Sequence, residues 1–170
     1  MMENPDFRID YGTITSGHLV NPKWDKPIVC ISSNRSKFYF NSELMQANMI
    51  KLGKATRRAV EASGKKALLL SSNSLSHRHF TTEPEIPEDM SKEHITNHNQ
   101  YLWDMKMINL MKEGKTKELI DLMPDFTEQT VAETEAGCLT WLMSALDFPD
   151  YKATVPVSYT HLRAHETKAN

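Results

Sequence analysis

The sequence predicts an α/β protein: part of a mostly parallel sheet, built on a βαβ unit and flanked by helices. Two short apolar runs, PIVCIS (27–32) and KALLLS (66–71), are each closed by small polar residues, the pattern of buried strands. Between them, from Ser42 to about Ser63, apolar residues recur every third or fourth position, as on one face of a helix. Two strands joined through such a helix lie parallel with a right-handed crossover, because a direct hairpin cannot connect them.

The elements follow in chain order. The opening NPDFRIDYGTIT has neither helical nor strand periodicity and reads as though it continues an earlier segment. In PIVCIS, Pro27 marks the start, Ile28, Val29 and Ile31 supply β-branched bulk, and Ser32-Ser33-Asn34 ends the run. Ser42 is a good N-cap and Gly64 a good stop for the first long helix. Its expected packed face is Met45, Met49, Leu52, Ala55, Ala59 and Ala62. After the second run comes a polar loop from Ser72 to about Asp89, containing Pro84 and Pro87. A helix is expected from about Ser91 to Glu113, with Ile95, Leu102, Met105, Ile108, Leu110 and Met111 on its apolar side and Gly114 ending it. Thr116–Met123 forms a short helix stopped by Pro124, and a last helix runs from about Asp125 to Leu146, before Pro149. Most of the ten methionines fall at helical spacing, which marks them as core filler.

Composition narrows the function classes. Hydrophobic content of 39% and charged content of 25% are ordinary for a globular domain. A formal net charge of −2 supplies no reason to expect nucleic acid or an anionic membrane as partner. Runs such as Ala67–Leu70 are far too short to span a bilayer, and the N-terminus lacks a signal-peptide pattern, so the expected location is cytoplasmic. Cys30 and Cys138, each among apolar neighbours, are expected as reduced, packed thiols.

In an open α/β sheet, ligands bind beyond the carboxyl ends of the strands, where SSNR (32–35) and SSNSLSH (71–77) fall. His77 is therefore placed for proton transfer near neutral pH, or it simply hydrogen-bonds its loop. His79 lies two residues on, but the H-x-H-x-D-H pattern of a zinc hydrolase fails at Thr81 and Thr82, so it reads as a loop neighbour. His94 and His98, four apart among Thr, Asn and Gln, read as a solvated helix face. Glu133, in TVAETEAG, has small neighbours at Thr130 and Gly137 on a face reaching Trp141; it is either an inward-pointing carboxylate or a solvated one. Tyr11 and His18 would reach a cleft if DYGTITSGH folds over it. GKATRR (53–58) has neither of the usual phosphate-loop spacings, so no nucleotide site is indicated.

The tracts NPDFRIDYGTIT, LGKATRRAVEASGKKALLLSSNSLSHRHF, EPEIPEDMSKE, WDMKMINLMKEGKT and GCLTWL together resemble the class III extradiol ring-cleavage dioxygenases. Within these they are most similar to the catalytic β subunits acting on 2-aminophenol, relatives of the protocatechuate 4,5-dioxygenase large subunits. The resemblance runs over residues 1–155. It implies a non-haem Fe(II) enzyme that opens 2-aminophenol or a related catecholic ring with O2, paired with a homologous non-catalytic α subunit in a heterotetramer. His77 matches the family's acid/base, Glu133 its carboxylate ligand to iron, and Tyr11 a tyrosine lining the substrate pocket. The family's two iron-binding histidines match no residue of this chain, so they are expected in a preceding region. The alternative is a non-catalytic structural subunit, or a superfamily member without oxygenase activity.

Residues 157–170 (VSYTHLRAHETKAN) break the preceding pattern, and from Val157 into Thr167 they back-translate to a transposase-type sequencing adapter. His161 and His165, although spaced H-x-x-x-H, lack the intervening glutamate of a zinc helix and are set aside with that tail. The expected organisation is thus residues 1–156 as the central and C-terminal part of a catalytic domain, lacking its N-terminal region and its C-terminal end, and a disordered tail over 157–170.

Overall fold

The computed structural model describes residue 9 and residues 11–31, 42–76, 97–130 and 132–155, with Glu133 and Thr134 described by their backbone alone. Six α-helices appear there: α1 (Tyr11–Val20), α2 (Ser42–Ser63), α3 (His98–Glu113), α4 (Thr116–Asp121), α5 (Met123–Gln129) and α6 (Gly137–Ala145). A 3-10 turn (Glu133–Ala136) leads into α6.

The α/β expectation is overturned. Among the described residues there is no strand ladder, and the one β-type pairing is an isolated antiparallel bridge between Ser76 and Ala132. Residues 27–31 and 66–71 have no regular secondary structure. Their side chains are largely in solvent, with Val29 86% and Leu68 74% exposed. Leu69 packs, half-buried, against the cluster of Met45, Met49 and Trp141. The physical reason is that a strand is a pairing state: apolar β-branched residues favour it, but hydrogen bonds to a neighbouring segment create it. Neither run has such a neighbour among the described residues. Cys30 shares the exposure of its segment, so the expected packed thiol is not found there; neither cysteine is in a disulfide, and Cys138 is half-buried.

Some helix ends fall where the sequence expects them, whereas α4 stops at Asp121 instead of Met123 and α5 starts at Met123 instead of Asp125. α2 begins at Ser42 and stops at Gly64, whose φ of 64° lies in the left-handed region. α3 starts later than expected because Asn97 caps it, accepting hydrogen bonds from the Asn99 and Gln100 amides at 3.0 and 3.2 Å. Residues 91–96, including Ile95, lie outside the described residues. At the other end Gly114 adopts φ 77°, and Lys115 N–H donates to Leu110 O at 2.9 Å, closing the helix in a Schellman-like cap. Pro124 sits in the first turn of α5, where its missing N–H costs nothing, so it starts a helix as well as ending the region of α4.

The expected helix from Asp125 to Leu146 is broken in two. Thr130 turns extended (φ −125°, ψ 168°), and its hydroxyl donates to Phe126 O at 2.7 Å. The chain then passes through Ala132 and the 3-10 turn before α6. Thr130, Val131 and Thr134 are poor helix formers, and their cluster is the local cause.

The main core gathers Met107 and Leu110 of α3, Leu119 of α4, Met123 and Phe126, Ala132 and Ala136, and Leu139 of α6. A second cluster joins Met45 and Met49 of α2 to Trp141 of α6. The buried face of α2 is Met45, Gln46, Met49 and Gly53, whereas Ala59 and Ala62 are exposed. α6 has nine residues, about 14 Å of rise, so it covers only the first turns of its longer partner. On α3 the buried set is Gln100, Asp104, Met107, Ile108 and Leu110, with Leu102 52% exposed. Both faces therefore carry polar residues where an apolar stripe was expected. No helix among the described residues is long and apolar enough to cross a membrane.

Candidate active site

The segments before His77 and before Glu133 come together. Ser76 and Ala132, each the immediate predecessor of one of these residues, form the isolated antiparallel bridge. Ser76 is 1% and Ala132 4% exposed, so the junction is buried. It is fastened by Asp104 of α3: Oδ1 accepts from Ser76 N–H at 3.1 Å, and Oδ2 accepts from Ser76 Oγ–H at 2.5 Å. Burial of the Asp104 carboxyl pushes its pKa up to about 6, against the opposing effect of the two Ser76 hydrogen bonds.

The turn beyond Ala132 is held from the other side by α2. Gln46 Nε2 donates to Glu135 O at 2.6 Å, and Thr140 Oγ1 donates to Gln46 Oε1. Glu135 and Ala136 have φ of 53° and 54°, two successive non-glycine residues in the left-handed region. Such backbone costs free energy and persists only where the surroundings impose it, which happens most often at working sites. The residue that opens this turn is Glu133.

The sequence-derived candidates fare differently. Glu133 begins the 3-10 turn instead of lying mid-helix, and its side chain is outside the described set. His77, His79 and His94 lie outside the described residues, as do His161 and His165. Tyr11 is the first residue of α1 and is 80% exposed, so no described residue makes it the wall of a pocket. His18 is exposed on the last turn of the same helix. His98 is exposed and stacks on Tyr101, with ring centroids 6.1 Å apart, in keeping with a solvated face.

Asp104, Ser76 and Gln46 were not singled out from the sequence. A signal for Asp104 existed: Gln100, Asp104, Met107, Ile108 and Met111 share one i, i+3/i+4 row, which puts a carboxylate inside an otherwise core-facing stripe.

Among the described residues no three His, Cys, Asp or Glu side chains come close enough to hold a metal ion. The described donor set by itself therefore does not fit a complete iron centre. An open groove of about 620 Å³ is bordered by Lys106, Lys115, Lys117, Glu118, Asp121 and Asp150. Lys115 is ion-paired there with Glu113 and Glu118, and none of the junction residues lines the groove. Its charged, open walls do not suit an aromatic ring.

Over residues 1–162 the chain matches the family described as the catalytic LigB subunit of aromatic ring-opening dioxygenase. The chain belongs to this family. Among curated relatives, it is 50% identical over 153 residues to the 2-aminophenol 1,6-dioxygenase beta subunit of a Pseudomonas species, covering 90% of this chain and 50% of that protein. It is 24% identical over 151 residues to the 3,4-dihydroxyphenylacetate 2,3-dioxygenase of Escherichia coli, covering 89% of this chain and 51% of that protein. This LigB-family chain thus spans about half the length of the curated relatives it matches. The expected membership in the extradiol ring-opening dioxygenases holds, and both named relatives are ring-cleaving dioxygenases.

Proposed function

We propose that this chain forms part of a non-haem Fe(II) extradiol dioxygenase that opens 2-aminophenol or a related catecholic ring with O2. Family membership supports the reaction class, and half-identity to a 2-aminophenol enzyme supports the substrate. The observation that carries the site is the buried Ser76–Ala132 pairing, since it joins the chain immediately before the proposed proton-transfer residue to the chain immediately before the proposed iron ligand. In this reading Glu133 is one carboxylate ligand, and two histidines from outside these 170 residues complete a facial triad. Fe(II) would supply a centre on which substrate and O2 meet. His77 would move a proton to or from the substrate's OH or NH2 group, a role that imidazole in general suits near neutral pH. Tyr11 would border the substrate once its exposed ring is covered.

The relative's designation as a beta subunit supports an α partner subunit; a homologous, non-catalytic α subunit in a heterotetramer is what the family resemblance adds. Two cysteines outside any disulfide suit a reducing cytoplasm. The test is the intact polypeptide, co-produced with its α partner, loaded anaerobically with Fe(II) and given 2-aminophenol, catechol and 3,4-dihydroxyphenylacetate in turn. Stoichiometric O2 uptake with ring opening, fastest on 2-aminophenol, is expected. Iron-loaded protein that consumes no O2 with any of the three substrates would overturn the reading.

A further inference from the structure

We infer that Asp104 is a positioning residue, holding the Ser76–Ala132 junction and through it the turn that carries Glu133. The inference rests on the functional reading above for what the turn does, but on geometry alone for what Asp104 does. Asp104 is 3% exposed and sits on a helix face otherwise packed into the core. Both of its oxygens are spent on one residue, Ser76, through a backbone N–H and a hydroxyl. Two bonds from one carboxylate to one residue define its distance and its orientation, where a single bond would leave it free to pivot.

A buried carboxylate is a poor device for stability alone, since burial disfavours its charged form and an apolar side chain of similar size would pack without that penalty. Its raised pKa is the mark of that cost. What it provides is register. Ser76 is paired with Ala132, and Ala132 is followed directly by the turn opened by Glu133. The far end of the same turn is fixed by Gln46 at Glu135 O, so the turn is clamped at both ends, by α3 through Ser76 and by α2 directly. The left-handed backbone at Glu135 and Ala136 needs such clamping to persist.

The test uses the intact, iron-loaded enzyme with its α partner and three variants: Asp104→Ala, Asp104→Asn and Ser76→Ala. Asparagine can accept the Ser76 amide bond and donate to the Ser76 hydroxyl, so it keeps the clamp without the charge. For Asp104→Ala, kcat on 2-aminophenol per bound iron should fall about 100-fold while KM changes less than about threefold, the result of misplacing a reacting group by about 1 Å. Asp104→Asn should recover turnover to within about threefold of the parent, and Ser76→Ala should fall between.

Independently of activity, hydrogen exchange followed by mass spectrometry should show the amides of 132–136 exchanging about tenfold faster in Asp104→Ala, with those of 107–111 unchanged. Unchanged exchange at 132–136 in both Asp104→Ala and Ser76→Ala would overturn the inference. So would equal loss of activity in the alanine and asparagine variants, or a loss in Asp104→Ala confined to KM. If Asp104→Ala does not fold, Ser76→Ala carries the same exchange and kcat tests. A parent enzyme that shows no ring cleavage would sink the functional reading only, because the exchange arm still decides whether Asp104 holds the turn.

Discussion

Gly53 is where α2 meets α6 most closely, and replacing it with alanine tests that contact. A Cβ at this position would lie 2.6 Å from Ser144 Cβ, 2.6 Å from Trp141 O and 2.8 Å from Ala145 N. Two of those three atoms belong to the backbone of α6, so rotamer changes cannot relieve the overlap, and the helices must move apart. Separation stretches the bond from Ser144 Oγ to Ile50 O (2.8 Å) and that from Trp141 Nε1 to Thr56 Oγ1 (3.1 Å). Overpacking costs about 1–3 kcal/mol, and weakening two partly buried hydrogen bonds adds about 1 kcal/mol. Alanine's helix propensity returns about 1 kcal/mol, leaving Gly53→Ala destabilised by about 2 kcal/mol. In equilibrium urea unfolding followed by tryptophan fluorescence, a slope of about 2 kcal/mol/M turns this into a midpoint about 1 M lower. Lys54→Ala, one residue along and exposed, is the control and should shift stability by less than about 0.5 kcal/mol. A midpoint for Gly53→Ala equal to or above the parent's would refute the argument, since propensity would then be the only term acting.

Further expectations concern the same packing and the same site. Thr140→Val keeps shape but removes the hydroxyl that serves Gln46 Oε1 in a buried position, and should cost about 1–3 kcal/mol in the same unfolding assay. The Asp104 carboxyl has its folded pKa raised to about 6, so the folded state holds its proton more tightly. Its contribution is fully present below the unfolded value near 4 and is lost as pH rises through 6, by up to about 3 kcal/mol. Asp104→Asn should therefore gain stability relative to the parent between pH 4 and pH 7; a difference independent of pH would contradict the burial argument. The 170-residue chain alone, offered equimolar Fe(II) under argon, should show no saturable binding and no ring cleavage, because one proposed carboxylate is too few ligands. Tight stoichiometric binding would mean that the metal ligands have been placed wrongly.

For the candidate site the sequence offers residue types and not geometry. Glu133 stands out in TVAETEAG, but the helix expected around it is replaced by a strained turn, because β-branched Thr130, Val131 and Thr134 interrupt the run. Tyr11 was expected beside a cleft and is exposed on α1. Asp104 passed unnoticed because its meaning depends on Ser76, 28 residues earlier in the chain.

What the sequence determined by itself are the features whose energetics are local. The start of α2 at Ser42, its stop before Gly64 and the stop of α3 at Gly114 are written in residues within a turn or two of each other. Family membership was likewise legible, because it rests on the order of residues. Only the tertiary structure decided the rest. PIVCIS and KALLLS carry strand-like residues, yet strands require a hydrogen-bonding partner that no local pattern supplies. The buried face of α2 runs through Gln46 and Gly53 because α6 is short and approaches there. Ser76, Asp104 and Ala132 form a junction because three distant segments converge, and burial then converts an ordinary aspartate into a clamp.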